Sequence, residues 1–358
     1  MMDQHENKKI MELVDDRSDP KWAHPDLQSF WQPGGLFDLT DPILEPGLSA
    51  ADRQALRSRI DDMFNEMSPP DPELDALVEK TEYWAPGCEE EPDAPPVRTV
   101  VVTPKDRNVG EVFPVVFLIY GGGLTSGSPE MMMPQIKATC RDQRAVVVCG
   151  QYRLAPDSKY PAAINDLHAA YKFVVENAEQ LGVDPDRVVV TGSSSGGHLS
   201  LALAFRLKRF GYKPRGVVAL MPMLDDRAIS VSSRIRGDFA WDAVREHQGW
   251  LAWLGPENVA SAFIGPEAVP GHATVEDCKG LAPIFVHAME SDPGADDALR
   301  FVSLCRAAKV YTELHSWGGT NHLSLYVASG VPKADLYNSM VHANIKDALT
   351  NDLRREWL

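Results

Sequence analysis

A chain of 358 residues, 44% of them hydrophobic, has apolar material for a large buried core. One α/β core with added segments accounts for that length more economically than two independent domains. A formal net charge of −16 and a sequence pI near 5.0 disfavour nucleic acid or an anionic membrane as partner. A mean hydropathy of −0.24, with no apolar run near the ~18 residues of a spanning helix, argues against a membrane span.

The first 75 or so residues are rich in Asp, Pro and Trp and hold one clear helix. Ser49 is its expected N-cap, and Leu56, Ile60, Met63, Phe64 and Met67 recur on one face at helical spacing. Cys88 to Asp93, acidic and proline-bearing, reads as an exposed turn between two early strands. Apolar, β-branched runs then follow at Val97–Val102, Pro114–Tyr120, Ala145–Cys149, Val188–Thr191, Val217–Met221, Ile284–Ala288 and Thr312–Trp317. Helical patterns separate most of them: one begins near Tyr160 and Pro161, one spans about Ala295–Ala308, and the last about Lys333–Leu349. Continuous apolar strands alternating with helices predict a mostly parallel sheet covered on both faces. The early strands, joined by turns alone, would make an antiparallel edge. Residues 225–260 interrupt the alternation with Phe239, Trp241, Trp250 and Trp253 among polar residues. An insertion there would sit over the sheet edge where open α/β folds bind ligands, and could form a lid with the N-terminal helix.

The five cysteines are scattered and form no C-x-x-C pair, which suits a reducing compartment. The N-terminus is polar and lacks an apolar signal-peptide core, so a cytoplasmic protein is expected. No histidine has metal-ligand spacing: His247 lacks an H-E-x-x-H context and the others are isolated, so neither metal nor cofactor is expected.

Chemistry concentrates in Gly192-Ser193-Ser194-Ser195-Gly196, a G-x-S-x-G between an apolar strand and the helical run beginning at His198. A nucleophile held there sits on a sharp turn, and the flanking glycines let strand and helix pass close together. Of three successive serines, only Ser194 has glycine two residues away on both sides. Upstream, an apolar strand ends in Gly121-Gly122-Gly123, exposing consecutive main-chain N–H groups. An acyl-transfer site needs such donors where a carbonyl oxygen becomes negative. A phosphate-binding loop fits less well, because G-x-G-x-x-G and a P-loop lysine are both absent.

With these motifs goes a further set: Gln151-Tyr152-Arg153-Leu154-Ala155-Pro156, Tyr160-Pro161-Ala162-Ala163, Asp166, and Gly182-Val183-Asp184-Pro185-Asp186-Arg187. In order and spacing, about residues 95–325 resemble the hormone-sensitive-lipase-like group of α/β-hydrolases, the bacterial family IV esterases and their relatives. The resemblance implies the α/β-hydrolase fold, a mostly parallel eight-stranded sheet with helices on both faces and a helical cap. It divides the chain into a cap segment over 1–75, core over 76–224, a cap insertion over 225–260, and core over 261–358. It implies a serine hydrolase that cleaves a small-molecule carboxylic ester through an acyl-enzyme. Asp292, in Glu290-Ser291-Asp292-Pro293, takes the place of the family's acid, with Asp296 and Asp297 as alternatives. His322, in Gly318-Gly319-Thr320-Asn321-His322, takes that of its histidine, while His315 would pack in the sheet. The backbone amides of Gly122, Gly123 and Ser195 take that of its oxyanion hole. Relatives commonly dimerise through the last strand and helix, so a homodimer is compatible.

The chain departs from the group at Tyr120, where histidine is usual, and at Ser193, where an acid is usual. Tyr120 would either buttress the glycine loop from behind or reshape the substrate pocket. A bulky or aromatic substrate is suggested by Met131, Met132, Met133 and the Trp-rich insertion, residues equally suited to core packing. Two other readings stay open. One is lactone or amide cleavage, or metabolite tailoring, at the same residues; the other is a non-catalytic small-molecule binder on this fold.

Overall fold

The computed structural model describes residues 20–30, 48–67, 71–108, 110–235, 241–328 and 330–354. Its strands are β1 Val78–Ala85, β2 Val97–Pro104, β3 Phe113–Ile119, β4 Val146–Gly150, β5 Val183–Ser193, β6 Gly216–Leu220, β7 Ile284–Met289 and β8 Thr312–Trp317. They form one eight-stranded sheet in the order β1-β2-β4-β3-β5-β6-β7-β8. Strand β2 runs antiparallel to both β1 and β4, and every other pairing is parallel. The antiparallel edge expected from turn-joined early strands is therefore present.

The helices are α1 Ala50–Met67, α2 Pro72–Leu77, α3 Met133–Gln143, α4 Ala162–Glu176, α5 Ala178–Leu181, α6 Ser195–Arg209, α7 Ala243–Leu254, α8 Val275–Cys278, α9 Ala295–Ala307, α10 Ser324–Val327 and α11 Pro332–Thr350. Helices α4, α6 and α9 pack on one face of the sheet, α3 and α11 on the other. Covered on both sides, β4 and β6 are buried along their whole length, which is why they read as unbroken apolar runs. Among the described residues, no helix is long and apolar enough to cross a membrane.

Ser49 caps α1 as its side chain suggests: Asp52 N–H donates to Ser49 Oγ (3.2 Å), and Ser49 N–H donates back to the Asp52 carboxylate (3.0 Å). The face of α1 differs from the apolar stripe. Leu56, Ile60, Met63 and Phe64 are half-buried, and the most buried side chain is Arg57. The Cys88 to Asp93 turn is also less open than its composition suggests. Cys88 is buried, and Glu91 is drawn in by Arg153, whose guanidinium meets its carboxylate at 2.7 Å. The same arginine donates to Asp166 at 2.8–3.1 Å. Charge pairing across the fold overrides the local preference for an exposed acidic turn. All five cysteines are buried and free.

In the 225–260 stretch, Phe239 lies outside the described residues. Trp250 and Trp253 of α7 are fully buried and pack edge-on against His198 at the start of α6, with ring centroids 5.0 and 6.0 Å away.

Candidate active site

Strand β5 delivers Ser194 into the turn before α6 with φ 59° and ψ −125°, a backbone conformation costly for any residue with a Cβ. Closely packed main chain holds it there. Ser194 N–H donates to Leu220 O of β6 (2.8 Å), and His198 N–H donates to Ser194 O (3.0 Å). The flanking glycines are sterically required. A Cβ on Gly192 would lie 2.5 Å from Gly196 O, and one on Gly196 would lie 2.2 Å from Ile119 O. Gly196→Ala is therefore expected to destabilise the protein by about 3 kcal/mol, read as a lowered urea midpoint at unchanged slope.

Two segments that leave β7 and β8 at the same end of the sheet meet this serine. His322 Nε2 lies 2.7 Å from Ser194 Oγ, and His322 Nδ1 is hydrogen-bonded to Asp292 Oδ2. All three residues are buried, Ser194 being 8% exposed and the other two 2%. The second carboxylate oxygen of Asp292 accepts from Gly294 N–H (2.7 Å), which fixes its orientation. The loop before His322 is held from outside as well, since His24 N–H donates to Gly319 O (2.8 Å). A base within reach of a hydroxyl, itself oriented by a carboxylate, can take the hydroxyl proton and present an alkoxide to an electrophile.

The glycine loop follows β3 and lies against the serine turn: a Cβ on Gly121 would be 2.8 Å from Ser193 O. Gly122 (φ +119°) and Gly123 (φ +63°) adopt left-handed conformations open to glycine. Among the described residues neither amide donates to another protein group. The loop is braced twice. From behind, Tyr120 stacks on Tyr152 with centroids 4.1 Å apart. Tyr120 OH donates to Tyr152 O (3.1 Å) and Tyr152 OH to Tyr120 O (2.9 Å). Burial pushes both phenols above their usual range, so each remains a neutral donor. Tyr120 thus supports the loop from behind. From α1, buried Arg57 donates to Thr125 O (2.7 Å) and Ala155 O (2.9 Å) and pairs with Asp157 (2.8 Å). An arginine amid a weak amphipathic pattern gave no sequence signal for this role.

The alternative carboxylates stand elsewhere. Asp296 accepts from Ser232 N–H (2.9 Å), and buried Asp297 has its carboxyl pushed up to about 7 by burial and the negative charge of Asp225. His315 remains in β8, hydrogen-bonded to Glu313 (2.6 Å) and stacked on His287. Met131 and Met132 are buried in the core, as are Trp250 and Trp253. Of the described residues in the Trp-rich insertion, Trp241 is the aromatic one that reaches the site, its indole stacked on the His322 ring at 5.7 Å.

Asp225, Asp226 and His272 come close enough to hold a metal, a cluster invisible in sequence because His272 is remote from both acids. Their ligand atoms are already engaged. Asp225 pairs with Arg227 (2.6 Å) and Arg300. Asp226 accepts from Ala260 N–H (2.6 Å) and from His272 Nε2 (2.7 Å). His272 Nδ1 faces Ile264 O (2.9 Å), and its bond to Asp226 raises the imidazole pKa. A ring that donates from both nitrogens is a cation and leaves no lone pair for a metal.

A family model for the alpha/beta hydrolase fold matches residues 116–325, the span from the glycine-loop strand to just beyond His322. The chain belongs to the α/β-hydrolase family. Within it, the chain falls in the hormone-sensitive-lipase-like group, and it is a carboxylic ester hydrolase. It is 33% identical over 244 residues to carboxylesterase NlhH of Mycobacterium tuberculosis (strain CDC 1551 / Oshkosh), covering 67% of this chain and 76% of that protein. With esterase LipI of M. tuberculosis (strain ATCC 25618 / H37Rv) it shares 29% identity over 275 residues, covering 70% and 72%. The solved structure of a bacterial heroin esterase superposes with a TM-score of 0.79 at 28% identity, covering 92% of this chain and 99% of that one.

Proposed function

We propose that Ser194 is the nucleophile, His322 its general base and then acid, and Asp292 the group that orients the imidazole. The contact of His322 Nε2 with Ser194 Oγ at 2.7 Å, with Nδ1 engaged by Asp292, carries this reading. In the first step Ser194 Oγ bonds to the ester carbonyl carbon as its proton passes to His322. The tetrahedral intermediate then collapses, and His322 returns the proton to the departing alcohol. Water repeats the sequence on the acyl-enzyme and releases the carboxylic acid. The amides of Gly122, Gly123 and Ser195 are the oxyanion donors, a role supported by the lack of a main-chain acceptor for either glycine N–H among the described residues and by the helix start at Ser195.

The described parts of 1–75 and 225–260 act as the cap over this centre, the first through the brace of Arg57 and the second through Trp241. The substrate is a small-molecule ester. An aromatic one is favoured by Trp241, whereas Met131, Met132, Trp250 and Trp253 lie in the core. A fluorophosphonate probe tests the mechanism: intact mass should rise by one adduct, on the peptide holding Ser194. A protein that hydrolyses esters yet stays unlabelled would overturn it.

A further inference from the structure

Glu246, the fourth residue of α7, is a carboxyl buried beside the candidate catalytic centre, 5% exposed. Its Oε2 accepts the indole N–H of Trp241 at 3.1 Å. Burial, and after it the charge of Asp292, pushes the Glu246 carboxyl well above the usual carboxylate range, with Asp297 adding to the push and the indole bond opposing it. A neutral carboxyl still accepts this bond, without setting a second negative charge against Asp292.

The indole so held is fixed on three sides. Its six-membered ring abuts Gly123, where a Cβ would lie 2.8 Å from Trp241 Cη2. Its ring stacks on His322 at an interplanar angle of 26°. The chain just after it is pinned by Ala243 N–H to Ile235 O (2.9 Å) and by Asp242 capping α7. Trp241 is therefore a rigid flat wall between the imidazole and the glycine loop.

We propose that Trp241 selects the alcohol portion of the ester, favouring a flat aromatic group over a puckered aliphatic one of equal size, with Glu246 as its positioning residue. The inference rests on the reading of Ser194 and His322 given above. In that mechanism His322 protonates the departing oxygen, so the alcohol lies on the imidazole side, where Trp241 stands. A planar ring can stack on a fixed indole, whereas a chair-shaped ring of the same carbon count meets it with axial hydrogens.

The test compares kcat/KM for phenyl acetate and cyclohexyl acetate, taking the ratio in each variant relative to wild type so that intrinsic ester reactivity cancels. Trp241→Ala should lower the phenyl-to-cyclohexyl ratio about tenfold, a change carried mainly in KM, while Trp241→Phe keeps most of it. Glu246→Leu should lower the ratio in the same direction, and Glu246→Gln, which retains an acceptor oxygen, should restore it. A ratio within twofold of wild type in Trp241→Ala overturns the proposal, and so does one in Glu246→Leu with Trp241→Ala shifted. Ser194→Ala is the control: hydrolysis surviving in it overturns the nucleophile reading, whereas its loss beside an unmoved Trp241→Ala ratio overturns this inference alone.

Discussion

Ser194→Ala should lower kcat for ester hydrolysis by roughly a millionfold and abolish fluorophosphonate labelling, while the protein keeps its fold. The size of the loss follows from the geometry. Ser194 Oγ is the hydroxyl in contact with His322, and the turn that presents it stores backbone strain at φ 59°. Its neighbours are aimed differently. Ser193 closes β5, and its carbonyl packs against Gly121. Ser195 enters the proposed chemistry through its main-chain amide, which alanine preserves. Ser193→Ala and Ser195→Ala should therefore keep the label and hold kcat within about tenfold of wild type. Peptide mapping of the adduct checks this directly. If Ser193→Ala were the unlabelled variant, the nucleophile would have been placed one residue too late.

Asp292→Asn should reduce kcat by about ten-thousandfold with little change in stability. The carboxylate accepts a hydrogen bond from Nδ1–H, keeping the proton on that nitrogen, and so leaves the Nε2 lone pair free to take one from Ser194. An asparagine amide turned toward Nδ1 favours the opposite tautomer, with Nε2 already protonated and unable to act as base. The neighbouring acids provide the contrast. Asp296→Ala removes an acceptor from Ser232 N–H and should cost stability rather than turnover. Asp297→Asn removes a buried carboxyl already raised to about 7 and should leave kcat within a few fold. A dead Asp297→Asn beside an active Asp292→Asn would reassign the acid. Both outcomes are read from kcat at saturating ester together with a urea midpoint.

If Trp241 filters the alcohol as proposed, the Ser194→Ala loss should appear with phenyl and cyclohexyl esters alike, because without the nucleophile neither alcohol reaches the departing step. Selectivity and chemistry would then separate between Trp241 with α7 behind it and the strand ends.

Much of this was legible along the chain because each signal was local. The serine turn needs glycine at 192 and 196 for steric reasons that act within five residues, and the unbroken apolar strands follow from a sheet covered on both faces. Glycines 121 to 123 likewise announce exposed amides whatever surrounds them. Ser49 and Asp52 cap their helix through an interaction spanning three residues.

Tertiary structure decided what depends on groups distant in sequence. Arg57 looked like one more charged residue on a surface helix until the fold set Thr125 and Ala155 carbonyls and the Asp157 carboxylate around it. Glu91 looked solvent-exposed until Arg153 captured it. The three tryptophans of the insertion were indistinguishable by type, yet Trp250 and Trp253 went to the core and Trp241 to the site. Composition cannot make that division, because an indole lowers its free energy by burial against any apolar surface, and only the packed arrangement says which surface it meets.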